Sequence, residues 1–173
     1  MPNTRLPNSI LFMLVVLGAV QLFYYTPRLP ETLASHFGGT GSVNAWQPKT
    51  VFFSLELGII VLAIVVSFGI PRIIEALPVS LINLPHKDFW LSPERRDSTL
   101  AYMRVWTAWL GCALLAFLLF VMELVYRANL QTPPRLNVAA FVPALLAFVA
   151  FDTVAILRLI LHFSRGVNEQ SGS

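Results

Sequence analysis

Three acidic residues lie inside long apolar runs, and they are the first candidates for chemistry. Glu56, Glu123 and Asp152 each interrupt a run of aliphatic and aromatic residues. An ionisable group in such surroundings is costly, so it commonly marks an ion path, a proton relay or a buried pair. Gln21 lies in a further apolar run, at a predicted depth close to that of Glu123. Arg127 follows Glu123 at i,i+4 and could pair with it.

A polar stretch between two apolar runs supplies the other candidates. Residues 29–49 read "LPETLASHFGGTGSVNAWQPK". Its histidine, His36, could join Gln21, Glu56 and Glu123 in an outward-open polar pocket that binds a divalent cation or a proton. No HExxH or similar metal-ligand spacing is present. We therefore favour a structural role, in which Glu56 hydrogen-bonds to Gln21 or to loop amides and fastens the loop.

Asp152 lies near the middle of its apolar run, where a charge is most costly. Arg104, near one end of the preceding run, could reach it, with Thr107 as a possible hydrogen-bond partner. Arg158 is six residues from Asp152 and so lies on a different helix face. We predict a buried Asp152–Arg104 pair, and a proton relay is the alternative.

No enzyme constellation accompanies these residues. The sequence lacks GxSxG, HExxH and P-loop motifs, so we predict a non-enzyme without a cofactor or a bound metal. Cys112 is the one cysteine, which excludes an intrachain disulfide and a cysteine metal cluster.

The amino-acid composition indicates the environment in which the chain folds. The 173 residues are 56% hydrophobic and 12% charged, and the mean hydropathy is +0.69. Soluble domains carry about 25% charged residues, so this chain has too few charges to cover a water-facing surface. The lipid bilayer is the predicted partner. The net charge of +3 then needs no nucleic acid.

Four apolar runs are long enough to cross a bilayer, which takes about 20 residues. The predicted spans are residues 8–25, 50–70, 102–126 and 138–163. The chain is therefore predicted to be a single domain, residues 1–173, with an all-α fold: an integral membrane four-helix bundle. Its loops are an outer loop at residues 26–49 and a cytoplasmic loop at residues 71–101.

The distribution of Lys and Arg predicts the orientation, because cytoplasmic loops carry an excess of both. Eight lie on the side of the two termini and the middle loop, and four lie on the other side. The eight are Arg5, Arg72, Lys87, Arg95, Arg96, Arg104, Arg158 and Arg165. The four are Arg28, Lys49, Arg127 and Arg135. Both termini are thus predicted to be cytoplasmic, and the polar stretch is predicted to face outward.

The end of the cytoplasmic loop has the signals of a helix start. Ser92 can cap and Pro93 suits the first helical position, so the third helix is predicted to begin near Pro93. Trp90 would lie at the headgroups, and Arg95 and Arg96 would face anionic lipid. This loop is interpreted as an interfacial anchor, and a docking surface for a cytoplasmic protein partner is the alternative.

Two segments resemble a bacterial membrane family of unknown function, whose domain also forms the front part of SdpI-type immunity proteins. The polar stretch is similar to that family's proline–histidine–glycine–tryptophan–lysine loop, and "NLPHKDFWLSPERR" is similar to a segment that often follows. The matching loop residues are Pro30, His36, Gly41, Trp46 and Lys49. The matching residues of the second segment are Asn83, Pro85, Trp90, Pro93, Arg95 and Arg96. The resemblance covers roughly residues 8–100, and it implies membership of this family, with an extracytoplasmic loop, more than it implies a function.

These observations lead to three functional hypotheses for a multi-pass protein of the bacterial plasma membrane. The first is a non-enzymatic sensor or immunity-like protein that recognises an extracytoplasmic ligand, such as a peptide. The second is a small transporter or an ion- or proton-coupled protein that uses the intramembrane carboxylates. The third is a structural subunit of a membrane complex.

Overall fold

The structure is a computed structural model, and it describes residues 3–165. Its helices are α1 (Arg5–Tyr25), α2 (Lys49–Ile64), α3 (Ile70–Ala76), α4 (Lys87–Trp90), α5 (Arg96–Asn129) and α6 (Val138–Arg165). Its two strands are β1 (Thr32–Phe37) and β2 (Val43–Pro48). A π-helical segment, Val65–Gly69, joins α2 to α3, and a 3-10 turn spans Val79–Leu81.

Within residues 3–165, four helical segments are long and apolar enough to cross a membrane, which confirms that prediction. They are α1, the continuous segment from α2 through α3, α5, and α6. The chain is therefore mostly helical and embedded in a bilayer. Several boundaries differ from those predicted. The second segment continues to Ala76, α1 begins at Arg5, and α5 runs from Arg96, rather than from near Pro93, to Asn129. Ser92 contributes its carbonyl rather than its side chain, accepting hydrogen bonds from the amides of Arg95 and Arg96.

The outer loop contains a β-hairpin, so the prediction of a purely α fold is wrong in this region. β1 and β2 pair antiparallel, with Ala34 opposite Trp46. The turn is closed by the amide of Gly38 on the carbonyl of Ser42, at 2.8 Å. Gly41 adopts a φ of 81°, which other residues rarely tolerate. An isolated two-stranded hairpin is marginally stable in water, so this one depends on what it packs against.

The π-helical segment follows from the proline that comes after it. Pro71 has no amide to donate to the carbonyl of Ser67, four residues earlier, and its ring would crowd that carbonyl in a regular α-helix. The widened turn accommodates the proline, and the amide of Ile70 reaches back five residues to Val65. The extra residue rotates the face of α3 by about 100° relative to a continuous helix.

α5 is the central helix, and it packs against α1, α6, the π-helical segment, α2 and α3. Midway along the bundle, a buried cluster of Leu11, Ile60 and Leu115 joins α1, α2 and α5. Close packing there requires a small residue, because a Cβ on Gly18 would lie 3.0 Å from the side chain of Leu119. α6 packs against α5, for example through a ring stack of Phe117 on Phe148. Most of α6 therefore faces lipid.

Candidate functional site

Glu123 organises a polar network between α1 and α5 at the end of the bundle that carries the hairpin. Its Oε2 accepts a hydrogen bond from Gln21 Nε2 at 2.9 Å. Its Oε1 accepts from the Tyr25 hydroxyl at 2.8 Å and from Arg127 Nε at 2.6 Å. The structure thus forms the predicted pair with Arg127 and brings Gln21 and Glu123 together. With three donors in place, this carboxylate is held in one orientation.

This network lies at the polar end of a lateral groove, here called the outer groove. The groove has a volume of about 600 Å³. Its walls are apolar and largely exposed side chains of α1 and α5, and its polar end holds the Glu123 network. The lining comprises Leu17, Val20, Gln21, Tyr24, Tyr25, Leu119, Phe120, Glu123 and Arg127. The guanidinium of Arg28 lies 3.8 Å above the ring of Tyr24, which adds a second cation at the rim.

Glu56 belongs to a separate site, which corrects the prediction of one pocket shared with Gln21 and Glu123. Its side chain is 2% exposed, and its Oε2 accepts a hydrogen bond from the hydroxyl of Tyr126 rather than from Gln21. Tyr126 stacks on Tyr25 with ring centroids 4.5 Å apart. Two stacked tyrosines therefore separate the two carboxyl groups, and each tyrosine donates to one of them. Oε1 of Glu56 has no hydrogen-bond partner within residues 3–165.

An asparagine at the end of α5 holds the hairpin, and sequence reasoning missed it. The side-chain oxygen of Asn129 accepts from the amide of Ala34 at 2.7 Å. Its side-chain nitrogen donates to the carbonyl of Ala34 at 3.0 Å and to that of Val125 at 2.9 Å. Asn129 is buried, so these bonds satisfy polar groups that water does not reach. The amide side chain thereby occupies the outer edge of β1.

The tip of the hairpin is held by the connection between α5 and α6. The amide of Leu136 donates to the carbonyl of Gly41 at 2.9 Å. A Cβ on Gly41 would collide with the carbonyl oxygen of Leu136. At the base, Lys49 Nζ donates to the carbonyl of Leu29 at 3.0 Å and reaches the carboxylate of Glu31 at 3.4 Å. Gly41 and Lys49, both predicted as loop residues of interest, therefore fasten the hairpin.

The remaining loop residues do not lie over the Glu123 network. His36 is exposed on β1, with Nδ1 3.2 Å from the hydroxyl of Ser35, and it does not line the outer groove. Trp46 is 53% exposed and faces a different cavity, shared with Pro133 and Pro134. Pro30 is exposed beside the base of the hairpin. The predicted pocket beneath His36 is thus wrong, because the pleat of β1 directs that side chain to solvent.

Within the described residues, no group of three or more His, Cys, Asp and Glu side chains could hold a metal ion. The carboxylate of Glu123 is occupied by nitrogen and hydroxyl donors, and that of Glu56 accepts from the hydroxyl of Tyr126. The outer end is therefore arranged for hydrogen bonding and apolar contact.

At the opposite end of the bundle, Arg104 pairs with Glu75 of α3, so the predicted Asp152–Arg104 pair is wrong. Arg96 also donates to the backbone carbonyl of Glu75, at 2.7 Å. Oδ1 of Asp152 is buried without a hydrogen-bond partner in the described chain. The predicted cytoplasmic loop, residues 71–101, included Glu75. In the structure Glu75 lies in α3, which follows the π-helical segment and packs against α5. Thr107 bonds within α5, to the carbonyls of Met103 and Arg104.

The second motif segment fastens this end of the bundle. Trp90 Nε1 donates to the carbonyl of Phe163 on α6 at 2.9 Å, and the hydroxyl of Thr99 donates to the carbonyl of Trp90 at 2.8 Å. The guanidinium of Arg95 lies 4.0 Å over the ring of Phe89. The other motif residues are exposed: Asn83, Pro85 and Pro93. Trp90 therefore joins the loop to both α5 and α6.

Comparison with protein families gives one match: residues 13–60 match the model of a domain of unknown function (DUF1648). The matched segment contains most of α1, the hairpin and the first part of α2. This part of the chain is therefore similar to that domain of unknown function. The chain matches no curated protein and no solved structure.

Proposed function

We propose that this protein is a non-enzymatic sensor or immunity-like protein of the bacterial plasma membrane. Its ligand is an extracytoplasmic amphipathic peptide, which binds in the outer groove. The observation that supports this proposal is the composition of the outer groove. Its walls are mostly apolar, and the polar network of Glu123 lies at one end. Ligand sites typically combine apolar walls with a few well-placed polar groups.

The groove suits a ligand that approaches along the membrane surface. Leu17, Val20 and Phe120 are exposed apolar walls that an apolar side chain can cover. Arg127 has a side chain that is 69% exposed even while it pairs with Glu123. Its remaining donors can meet an acidic or carbonyl group of the ligand. An amphipathic peptide offers both kinds of surface.

The docked hairpin supports the same proposal. It is fastened at its edge by Asn129 and at its tip by Leu136, so it projects from the bundle as an ordered element. The DUF1648 match covers the α1 wall of the groove together with the hairpin. Trp46, more than half exposed, offers a large side chain for further contact outside the bilayer.

Transport receives less support. A transport path would need polar groups connected in depth, whereas neither Glu56 nor Asp152 lines the outer groove. Glu56 is buried and bonded to the hydroxyl of Tyr126, and Asp152 lies on α6.

Groove filling is the direct test of this function. Val20 is 57% exposed in the groove, and Val61 is 51% exposed on α2 outside it. Val20→Trp should fill the groove without disturbing the Glu123 network, and Val61→Trp is the matched control. Each variant is expressed in a peptide-sensitive strain, which is exposed to a panel of cationic and anionic amphipathic peptides. The binding of each peptide to purified protein in nanodiscs is measured by fluorescence anisotropy.

Wild type and Val61→Trp should bind at least one peptide and protect against it. Val20→Trp should weaken that binding about tenfold or more, a factor that corresponds to 1.4 kcal/mol. The proposal fails if the wild type binds none of the peptides, or if Val20→Trp binds as tightly as wild type.

A further inference from the structure

We propose that the opposite end of the bundle carries a second binding site, for a phosphate group, between α1, α3 and α5. The site is a cavity lined by Arg72 and Arg104 beside Glu75. Arg96 lines a second cavity on the other side of the Glu75–Arg104 pair. This phosphate site does not depend on the function proposed for the outer groove. The phosphate can belong to an anionic phospholipid headgroup or to a soluble phosphate compound, and the test below separates these sources.

Two cavities meet at the Glu75–Arg104 pair. One, of about 350 Å³, is lined by Arg96 and Asp97 on its far side. The other, of about 310 Å³, is lined by Arg72 and by polar residues at the start of α1. Both include Glu75 and Arg104, which therefore form a shared wall. Each cavity exceeds the space of a few water molecules and can admit a phosphate group.

The charges balance around one of these cavities but not around the other. In the first cavity, Arg96 and Arg104 are balanced by the carboxylates of Glu75 and Asp97. In the second cavity, Arg72 and Arg104 face one carboxylate, that of Glu75. One positive charge is left over, which a phosphate diester with one negative charge would neutralise. Basic pockets between spanning helices on the cytoplasmic side are the kind of site that binds anionic headgroups. The excess of Lys and Arg at this end predicts that it faces the cytoplasm.

The arginines also retain donors for a ligand. A guanidinium has five N–H donors. Among the described residues, Arg96 donates through one nitrogen to the carbonyl of Glu75, and Arg104 through one to its carboxylate. Arg72 makes a long bond, 3.4 Å, to the carbonyl of Phe68. A planar guanidinium with free N–H groups can bind phosphate with two parallel bonds, which adds specificity as well as affinity.

The π-helical segment places these groups together. Its extra residue turns the face of α3 that carries Arg72 and Glu75 toward α1 and α5, where Arg104 lies. Arg104 is eight residues after the first residue of α5, or about 12 Å along the helix axis. The site therefore lies close to the predicted cytoplasmic end of α5. At this depth the phosphate of a lipid headgroup can contact it.

The test compares two matched arginines. Arg72 and Arg135 are both exposed, and each makes a 3.4 Å bond to a backbone carbonyl, Arg72 to Phe68 and Arg135 to Thr40. Arg72→Gln removes a site residue and Arg135→Gln removes the same charge at the other end. The full-length protein is placed in nanodiscs of phosphatidylcholine, with or without phosphatidylglycerol. The unfolding temperature is measured, and lipid retention is followed by native mass spectrometry.

In the lipid arm, phosphatidylglycerol should raise the unfolding temperature of wild type and of Arg135→Gln, and it should be retained on both. The gain should fall by half or more in Arg72→Gln. In the soluble arm, inorganic phosphate is compared with chloride at equal ionic strength in phosphatidylcholine alone. An increase in the unfolding temperature there, lost in Arg72→Gln, assigns the site to a soluble phosphate compound.

Two results would overturn the phosphate site. One is that neither phosphatidylglycerol nor phosphate stabilises the wild type. The other is that Arg72→Gln and Arg135→Gln respond alike, which would show general surface charge rather than a site. A second variant, Arg72→Lys, keeps the charge but loses the planar fork. It should bind more weakly than wild type and more strongly than Arg72→Gln.

Discussion

The two ends of the bundle differ in how many hydrogen-bond partners their polar side chains have. At the outer end, Glu123 and Asn129 each meet several partners, and their contacts join α1, α5 and the hairpin. At the opposite end, here called the inner end after its predicted orientation, Glu75 and Arg104 meet beside two cavities, and both side chains remain about a third or more exposed. The side chains of Glu123 and Asn129 are thus well partnered, whereas the arginines of the inner end keep unused donors beside open space.

This difference in hydrogen-bond partners determines which kind of ligand each end can bind. A carboxylate with three donors gains little from a further partner, so the outer groove can offer ligands a fixed surface at low ordering cost. Guanidinium groups with spare N–H donors are still able to gain partners, so the inner end can respond to an anion. The same kinds of residue thus build a rigid surface at one end and an adaptable one at the other.

The largest expected effect concerns the packing that supports the inner end. A Cβ on Gly111 would collide with the hydroxyl of Ser67 in the π-helical segment, whereas a Cβ on Gly58 would meet nothing within 4 Å. Gly111→Ala should lower the free energy of unfolding by about 1–3 kcal/mol through overpacking. Gly58→Ala, the control, should be neutral or stabilising by up to about 1 kcal/mol. Thermal unfolding in detergent checks both.

Adding Ser67→Ala to Gly111→Ala should restore part of the lost stability, because it removes the colliding hydroxyl. If Gly111→Ala is as stable as Gly58→Ala, the close approach of the π-helical segment to α5 is wrong. The inner site would then lose its structural basis.

A smaller loss is expected at the hairpin tip. Gly41 has a positive φ and lies against the carbonyl of Leu136, whereas Gly39 of the same turn has open space around it. Gly41→Ala should cost about 1–2 kcal/mol, since a side chain is strained in this conformation. Gly39→Ala should change the unfolding temperature little. Equal effects of the two substitutions would mean that the tip is not held by the α5–α6 connection.

The smallest effect is expected at the Glu75–Arg104 pair. Its side chains are 32% and 43% exposed, so water screens their attraction. A double-mutant cycle of Glu75→Gln and Arg104→Gln should give a coupling energy of about 0.2–1 kcal/mol. A coupling of several kcal/mol would indicate a buried ion pair instead. The inner end would then be as firmly held as the Glu123 network.

The four spans were predictable because length and apolarity alone mark them. The hairpin was not, because β1 and β2 are six residues each and the first alternates poorly, with Leu33 and Ala34 both buried. Its stability comes from Asn129, ninety-five positions after Ala34. A lone asparagine at a helix end is ordinary in sequence, so no local signal identified it.

The site was predicted only in part, for a reason that concerns helix rotation. Depth along a helix follows from residue count, which is why Gln21 and Glu123 were correctly brought together. The face that a residue presents depends on packing angles and on the π-helical turn. This is why Glu56 turned out to bond with Tyr126, and why Arg104 pairs with Glu75 rather than Asp152.

The central claim is that the outer loop is an ordered hairpin docked on the bundle. Hydrogen exchange of the full-length protein in nanodiscs tests it most directly, because β1 lies outside the spans and lipid does not protect its amides. The amides of residues 32–37 should exchange slowly in wild type and in Asn44→Ala, a variant of an exposed asparagine on the same hairpin. In Asn129→Ala they should exchange about tenfold faster or more, since losing bonds worth about 1.4 kcal/mol changes the opening equilibrium by that factor. Rapid exchange of these amides in wild type, or unchanged exchange in Asn129→Ala, would contradict the docked hairpin.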